Sequence, residues 1–154
     1  MIEHRSISNL VRNSGLYSFQ QGVRVMSSLT YTFDPFIVDV FGSLPHGATL
    51  VTGRKELVLG DIPKAIRSLW INVLHVTPSI LAVVPVDDYP VVVAGEALGK
   101  KLIQDWSGHV MLRNMYGPTE ATVDCTLCHV LVLLSLELLV VPFRIAASTL
   151  LTDN

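Results

Sequence analysis

Charge is what this 154-residue chain has least of: 16% of its residues are Asp, Glu, Lys or Arg, against roughly a quarter in an average soluble domain. Half of the residues are hydrophobic, so much of the chain is expected to lie buried inside something larger. The Lys and Arg residues are scattered and the formal net charge is -2. The basic stripe that phosphate-backbone contacts need is therefore lacking, and no nucleic acid is expected as a partner. Cysteine is scarce too, with only Cys125 and Cys128, a poor disulfide framework for a secreted fold. Glu3, His4 and Arg5 stand where a signal peptide needs an unbroken apolar core, so the expected setting is cytoplasmic and reducing. Leu127 to Val141 is almost continuously aliphatic, but at about 15 residues, interrupted by Glu137, it falls short of the roughly 20 that a spanning helix requires. No membrane span is expected. Nor is there an internal repeat or a low-complexity segment, and the length suits one domain.

What is present alternates. Ile7, Leu10 and Val11 mark one face of a helix over Ser6 to Tyr17, with Ser6 or Ser8 as its cap and Gly15 closing it. Val23 to Tyr31 reads as a strand, and Asp34 followed by Pro35 is the cap and first-turn proline of a helix running to Leu44. Ala48 to Thr52 is a short strand. Asp61 and Pro63 open a second capped helix, with Ile62, Ile66, Leu69 and Trp70 at helical spacing. Val73 to Val76 and Val91 to Ala94 have the continuous apolar character of parallel strands covered on both faces. Leu98, Leu102, Ile103 and Trp106 stripe another helix, and Val110 to Leu112 is a further strand. The expected class is α/β, a mostly parallel sheet flanked by helices.

In such folds ligands collect at the carboxyl ends of strands. Three segments fall there: Phe33-Asp34, Ala94-Gly95-Glu96 and Asn114-Met115-Tyr116-Gly117-Pro118-Thr119-Glu120. The last offers an aromatic face, a Gly-Pro turn, a hydroxyl and a carboxylate within a few residues. Alone it reads equally as a solvated turn, and Asp34 alone reads as a helix cap. With Ile2-Glu3-His4-Arg5 near the start, however, four segments in this order resemble an adenylation (AMP-binding) domain of a nonribosomal peptide synthetase, in the adenylate-forming ligase superfamily. The resemblance covers about residues 1–126 and implies an incomplete fragment of the N-terminal domain of such an enzyme.

The resemblance implies an ATP-dependent ligase. It joins an amino-acid carboxylate to ATP, releases pyrophosphate and passes the aminoacyl-adenylate to the phosphopantetheine thiol of a carrier protein. Carried over by position, Tyr116 stacks on adenine, Gly95 and Asn114 lie along the base, and Thr119 contacts the phosphate side. Glu120 helps hold Mg²⁺ between phosphates, as a hard cation wants a carboxylate oxygen. Asp34 pairs with the α-amino group of the substrate. The side-chain pocket is implied to comprise Pro35, Val38, His75, Val92, Ala94, Met115, Val123 and Asp124, suited to a medium-sized amino acid with a polar tip.

The chain departs from the family at both ends. The Ser/Thr/Gly-rich phosphate loop is expected just before His4, where the sequence begins. The ribose-binding Asp and the mobile C-terminal subdomain with its catalytic Lys are missing downstream, so little adenylating activity is expected from the chain alone. Residues 127–154 are expected to be a divergent hydrophobic tail, forming a strand or a buried helix if folded, and to come from a misread exon or shifted frame. Cys125-Thr126-Leu127-Cys128-His129 matches the haem-attachment pattern. With no second axial ligand following it and no export signal, and with too few ligands for a closed zinc site, neither haem nor zinc is expected. The rival readings are a fragment of an aryl- or acyl-acid ligase, against which Asp34 argues, and a non-catalytic remnant or weak nucleotide-binding module. The edges of an incomplete sheet are expected to favour association.

Overall fold

β-Branched runs set between turn residues make the central strands. Val73–Val76 (β3) and Val91–Val93 (β4) are buried at every position, the state of strands covered on both faces. The computed structural model describes residues 2–54, 60–87, 89–132 and 138–144. In chain order its regular elements are α1 His4–Asn13, β1 Arg24–Ser27, α2 Pro35–Ser43, β2 Thr49–Val51, α3 Ile62–Ser68, β3, the single turn α4 Pro78–Leu81, β4, α5 Lys100–Trp106, β5 Leu112–Tyr116, β6 Thr126–Val132 and β7 Leu138–Arg144.

The described strands form one seven-stranded sheet in the order β2-β1-β3-β4-β5-β6-β7. The first five run parallel, while β6 and β7 add antiparallel. Alternate residues of each strand feed two cores. On one face Met26, Leu74, Val91, Val93 and Leu112 meet Ile62 and Ile66 of α3 and Ile103 and Trp106 of α5. On the other, Val25, Val73, Val92 and Met115 meet Leu10 of α1, Tyr17, Phe19 and Val38 of α2. Each fully buried aliphatic or aromatic side chain is worth about 1.5–3 kcal/mol. Packing on both faces, not any one helix, holds the sheet. This is an α/β fold with a mostly parallel sheet between helices, as expected.

Several boundaries differ from the sequence reading. The first helix starts at His4 and gives way to a 3₁₀ turn at Ser14–Tyr17, and neither Ser6 nor Ser8 caps it. The Ser8 hydroxyl instead donates back to the His4 carbonyl. The strand expected over Val23 to Tyr31 ends at Ser27, because a turn from Thr30 to Phe33 takes over the chain. β5 starts at Leu112 and runs to Tyr116, since pairing with β4 on one side and β6 on the other extends it into the segment read as a loop. The Asp61 cap is present: its carboxylate accepts from Lys64 N at 3.0 Å. Thr126, the expected boundary, is the first residue of β6. The described residues of the expected tail are strand, and its residues 133–137 and 145–154 lie outside the described residues. Among the described residues no helix is long and apolar enough to cross a membrane.

Candidate functional site

A cleft of about 590 Å³ opens at the carboxyl ends of the parallel strands. Three chain segments wall it: Phe33–Pro35 at the start of α2, Ala94–Ala97 after β4, and the end of β5 with its return loop from Asn114 to Asp124. Gly95 has φ +84°, and a Cβ there would stand 2.6 Å from Phe33 Cζ, so the turn after β4 needs glycine. A Cβ on Gly117 would lie 2.7 Å from Asp124 Cα and from Cys125 N, so the β5–β6 loop folds back on itself with backbone against backbone. The returning arm is strained: Thr122 has φ +64° and the β-branched Val123 has φ +74°, a region that costs such residues about 1–3 kcal/mol. Strained residues of this kind cluster at ligand sites, and these two aim Asp124 at the cleft.

The lip of the cleft is polar and open. Asp34 begins α2 with helical dihedrals but makes no side-chain cap, which corrects the cap reading. Its Oδ2 instead accepts from Thr119 Oγ1 at 2.5 Å, a contact that ties α2 to the β5–β6 loop. Tyr116 is 69% exposed, leaving its ring face open. Glu96, beside Gly95, accepts from Ser79 N at 2.9 Å and from Ser79 Oγ at 2.5 Å. These bonds hold its carboxyl below the usual range and fasten the turn after β4 to α4.

Beneath the lip lies a buried polar group. His75 of β3 and Asp39 of α2 are both 0% exposed, and His75 Nδ1 stands 2.5 Å from Asp39 Oδ1. Asp39 Oδ2 accepts from the Ser27 hydroxyl. Burial alone would lower the pKa of His75, but the charge and hydrogen bond of Asp39 outweigh it and raise the pKa. Asp124, 4% exposed, has its pKa pushed up to about 7, first by burial and then by Asp34 and Asp39, with His75 opposing. Burial, with the Asp124 charge adding, also raises the pKa of the neighbouring Tyr17 phenol.

Of the residues picked out in the sequence, Asp34, Pro35, Ala94, Gly95, Asn114, Met115, Tyr116, Thr119, Val123 and Asp124 line this one cleft. Val38, His75 and Val92 are wholly buried rather than lining it. Val38 and Val92 share a core cluster with Met115 and Val123. Glu120 lies in the exposed turn Thr119–Ala121, outside the lining. Sequence reasoning missed Asp39 as a site residue; it placed the segments holding Phe33 and Glu96 at the strand ends but gave these two side chains no role of their own. Asp39 is an acid in an otherwise apolar helix stretch, Phe36-Ile37-Val38-Asp39-Val40-Phe41, a pattern that signals a paired buried carboxylate.

No group of three or more His, Cys, Asp or Glu among the described residues is arranged to hold a metal ion. Magnesium held by one or two carboxylates plus nucleotide phosphates needs no such cage. Cys125 Sγ donates to Tyr116 O. Cys128 and His129 are adjacent on β6 and so project from opposite faces of the sheet.

Residues 1–140 match the family described as AMP-binding enzyme. A nonribosomal peptide synthetase of Emericella nidulans is 32% identical over 130 residues, 81% of this chain and 2% of that protein. The hydroxamate-type ferrichrome siderophore peptide synthetase of Schizosaccharomyces pombe is 27% identical over 157 residues, 94% of this chain and 3% of that protein. A four-domain nonribosomal peptide synthetase solved with AMP and glycine superposes with a TM-score of 0.72 at 27% identity, covering 83% of this chain and 10% of that one. The Klebsiella oxytoca NpsA N-terminal subdomain, solved with anthranilyl-AMSN, superposes with a TM-score of 0.72 at 20% identity over 84% of this chain and 37% of its own. That last likeness is one of fold.

Proposed function

The chain belongs to the AMP-binding enzyme family, as a partial adenylation domain of the nonribosomal peptide synthetase kind, and we propose that it holds an α-amino acid beside the adenine end of ATP. The observation that carries this reading is the convergence of Asp34 and Tyr116 on one cleft at the strand ends. Asp34 pairs with the α-ammonium group in a charge-assisted contact. The open Tyr116 face takes the adenine, with Gly95 and Asn114 along its edge. Thr119 faces the phosphates, and Glu120 helps hold Mg²⁺ between them. ATP supplies the adenylyl group that activates the substrate carboxylate. The side chains of this fragment bind and orient.

On this reading the chain works in the cytoplasm as part of a larger activating unit that hands its product to a carrier-protein thiol. Activity of the fragment alone is low, because further groups are needed to stabilise charge at the reacting phosphate. Ligand-observed NMR with an L-amino acid and its α-hydroxy analogue tests the central claim. The amino acid should bind and the hydroxy acid should not, and Asp34→Asn should erase the difference. Equal binding of the two by the unaltered chain overturns the reading. One observation favours a nucleotide-binding remnant instead: Asp34 already has a neutral partner in Thr119. ATP binding with no amino-acid binding would establish that alternative.

A further inference from the structure

We propose that the corner where α3 turns into β3, at the end of the sheet opposite the cleft, docks an acidic polypeptide segment that carries an apolar side chain, with Trp70 as the anchor. The proposal stands apart from the amino-acid reading, since none of its residues lines the cleft.

Trp70 occupies a position made for glycine. α3 ends at Ser68, and beyond it Ile71 N donates to Ile66 O at 2.9 Å and Trp70 N to Arg67 O at 3.4 Å. These are the two bonds of a helix stop whose left-handed residue is usually glycine or asparagine. Here that residue is a tryptophan with φ +55°. A bulky left-handed residue is strained, and burial does not offset the strain, because Trp70 is 79% exposed. The other tryptophan, Trp106, is 1% exposed. Leu69, next to Trp70, is also among the exposed large hydrophobic residues. Within its own fold the chain gains nothing from so large an apolar ring held in solvent on a strained turn. The use of the ring lies in what it meets outside.

The surroundings of the ring set the charge of the partner. Lys64 and Arg67 are exposed and three residues apart on α3, hence on one face. Arg24, at the amino end of β1, donates from Nε to Leu69 O at 2.7 Å and from its backbone N to Asn72 Oδ1 at 2.6 Å. Its guanidinium is thereby held beside the turn. None of these three cations enters an ion pair of the described residues, which are Arg5 with Glu3, His75 with Asp39 and Lys101 with Asp105. Asp61, the acid nearest in sequence to α3, stands at the other end of the helix as its cap. Tryptophan and arginine are enriched among the residues that carry binding energy at protein interfaces. Unpaired cations around an apolar ring complement carboxylates around an apolar side chain. A lipid surface calls for four or more clustered cations and a broader apolar face, and a nucleic acid for a longer basic stripe. Three cations and one ring fit a short segment of protein.

The test uses the whole chain labelled with ¹⁵N, whose two tryptophans give two indole N–H signals. The probes are the end-capped peptide Glu-Glu-Leu-Phe-Glu-Glu, the same peptide with Gln for each Glu, and the same peptide with Gly for Leu and Phe. The first should shift the Trp70 signal and leave that of Trp106 in place. It should bind at least about tenfold more tightly than either counterpart, an advantage over the Gln form that shrinks as salt is raised. Trp70→Asn, which keeps a residue suited to the left-handed turn, should weaken binding at least about tenfold. Lys64→Glu with Arg67→Glu should abolish the preference for Glu over Gln. In both variants the amide signals of Met115 and Tyr116 should stay where they are, which shows the sheet intact. The ranking of the probes on the unaltered chain decides the matter even where a variant fails to fold. An unmoved Trp70, equal binding of the Gln form, or full binding by Trp70→Asn overturns the proposal. A Trp70 signal that responds to phosphatidylserine vesicles and not to the acidic peptide assigns the corner to membranes and overturns it equally. Each of these outcomes leaves the amino-acid reading of the cleft untouched.

Discussion

Asp34 and Asp39 enter the molecule little more than a helical turn apart on α2, one at the lip of the cleft and the other beneath it. Asp34 is half-buried and bonded to a threonine hydroxyl, whereas Asp39 is wholly buried between two fixed protein partners. The difference is one of solvent access. A carboxylate at the lip can exchange one partner for another at small cost, because solvent compensates each state. At the base each polar atom depends on a specific neighbour, since the low local dielectric magnifies whatever is left unpaired.

Truncating the base should therefore cost most. Asp39→Ala strands a buried imidazole and the Ser27 hydroxyl, and is expected to lower the unfolding free energy by about 3–5 kcal/mol, read from urea melts. The contrast between lip and base breaks if Asp34→Ala costs as much. The second test is pH. In the folded chain Asp124 keeps its proton up to about 7, so the fold binds that proton more tightly than the unfolded chain does. Its contribution to stability is present below the ordinary carboxylate range and is lost as pH rises through about 7, by no more than about 4 kcal/mol. His75, with its raised pKa, acts in the same sense, contributing in acid and losing that contribution as pH climbs past its folded pKa. Asp124→Asn should flatten the fall between about pH 4 and 7. An unchanged slope would place the titration elsewhere.

Gly117→Ala sharpens the comparison in the loop that joins the two levels. A Cβ there meets backbone at 2.7 Å, and forced repacking costs about 1–3 kcal/mol. Its effect should appear both in melts and in the ¹⁵N shifts of Asp124. Smallest of all, Thr119→Val at the lip should change stability by less than about 1 kcal/mol. It should leave amino-acid binding equal or tighter, because Asp34 loses a competing partner. A large loss of stability would mean that the lip is as rigid as the base.

Much of the fold is legible in local pattern. The apolar runs of β3 and β4 and the Asp-Pro start of α2 give the parallel sheet and its helices. Three of the four short motifs hold seven of the ten expected residues that line the cleft. The pairing of side chains from distant elements has no such local signature. Nothing local says that Asp39 meets a histidine on β3, or that Thr119 rather than the helix end takes the Asp34 carboxylate. Nor does composition reveal that Thr122 and Val123 adopt left-handed dihedrals, since a valine there runs against its own preference. The boundary of β5 is misplaced for a similar reason, because Asn114 to Tyr116 carry turn chemistry in sequence and become strand through pairing with β6.

The return from β5 to β6 has a mechanical side. Tyr116 and Thr126 pair across the antiparallel ladder, and Cys125 N donates to Tyr116 O at 3.1 Å. Both feet of the intervening loop are therefore clamped to the same rung. Residues at the exposed tip of that loop, Pro118 to Glu120, can be exchanged without moving the strands below, whereas Gly117 is held against backbone and Val123 in the core. The tip that holds Thr119 and Glu120 is thus a replaceable cartridge, seated on a buried foot, Val123 and Asp124, that belongs to the core below.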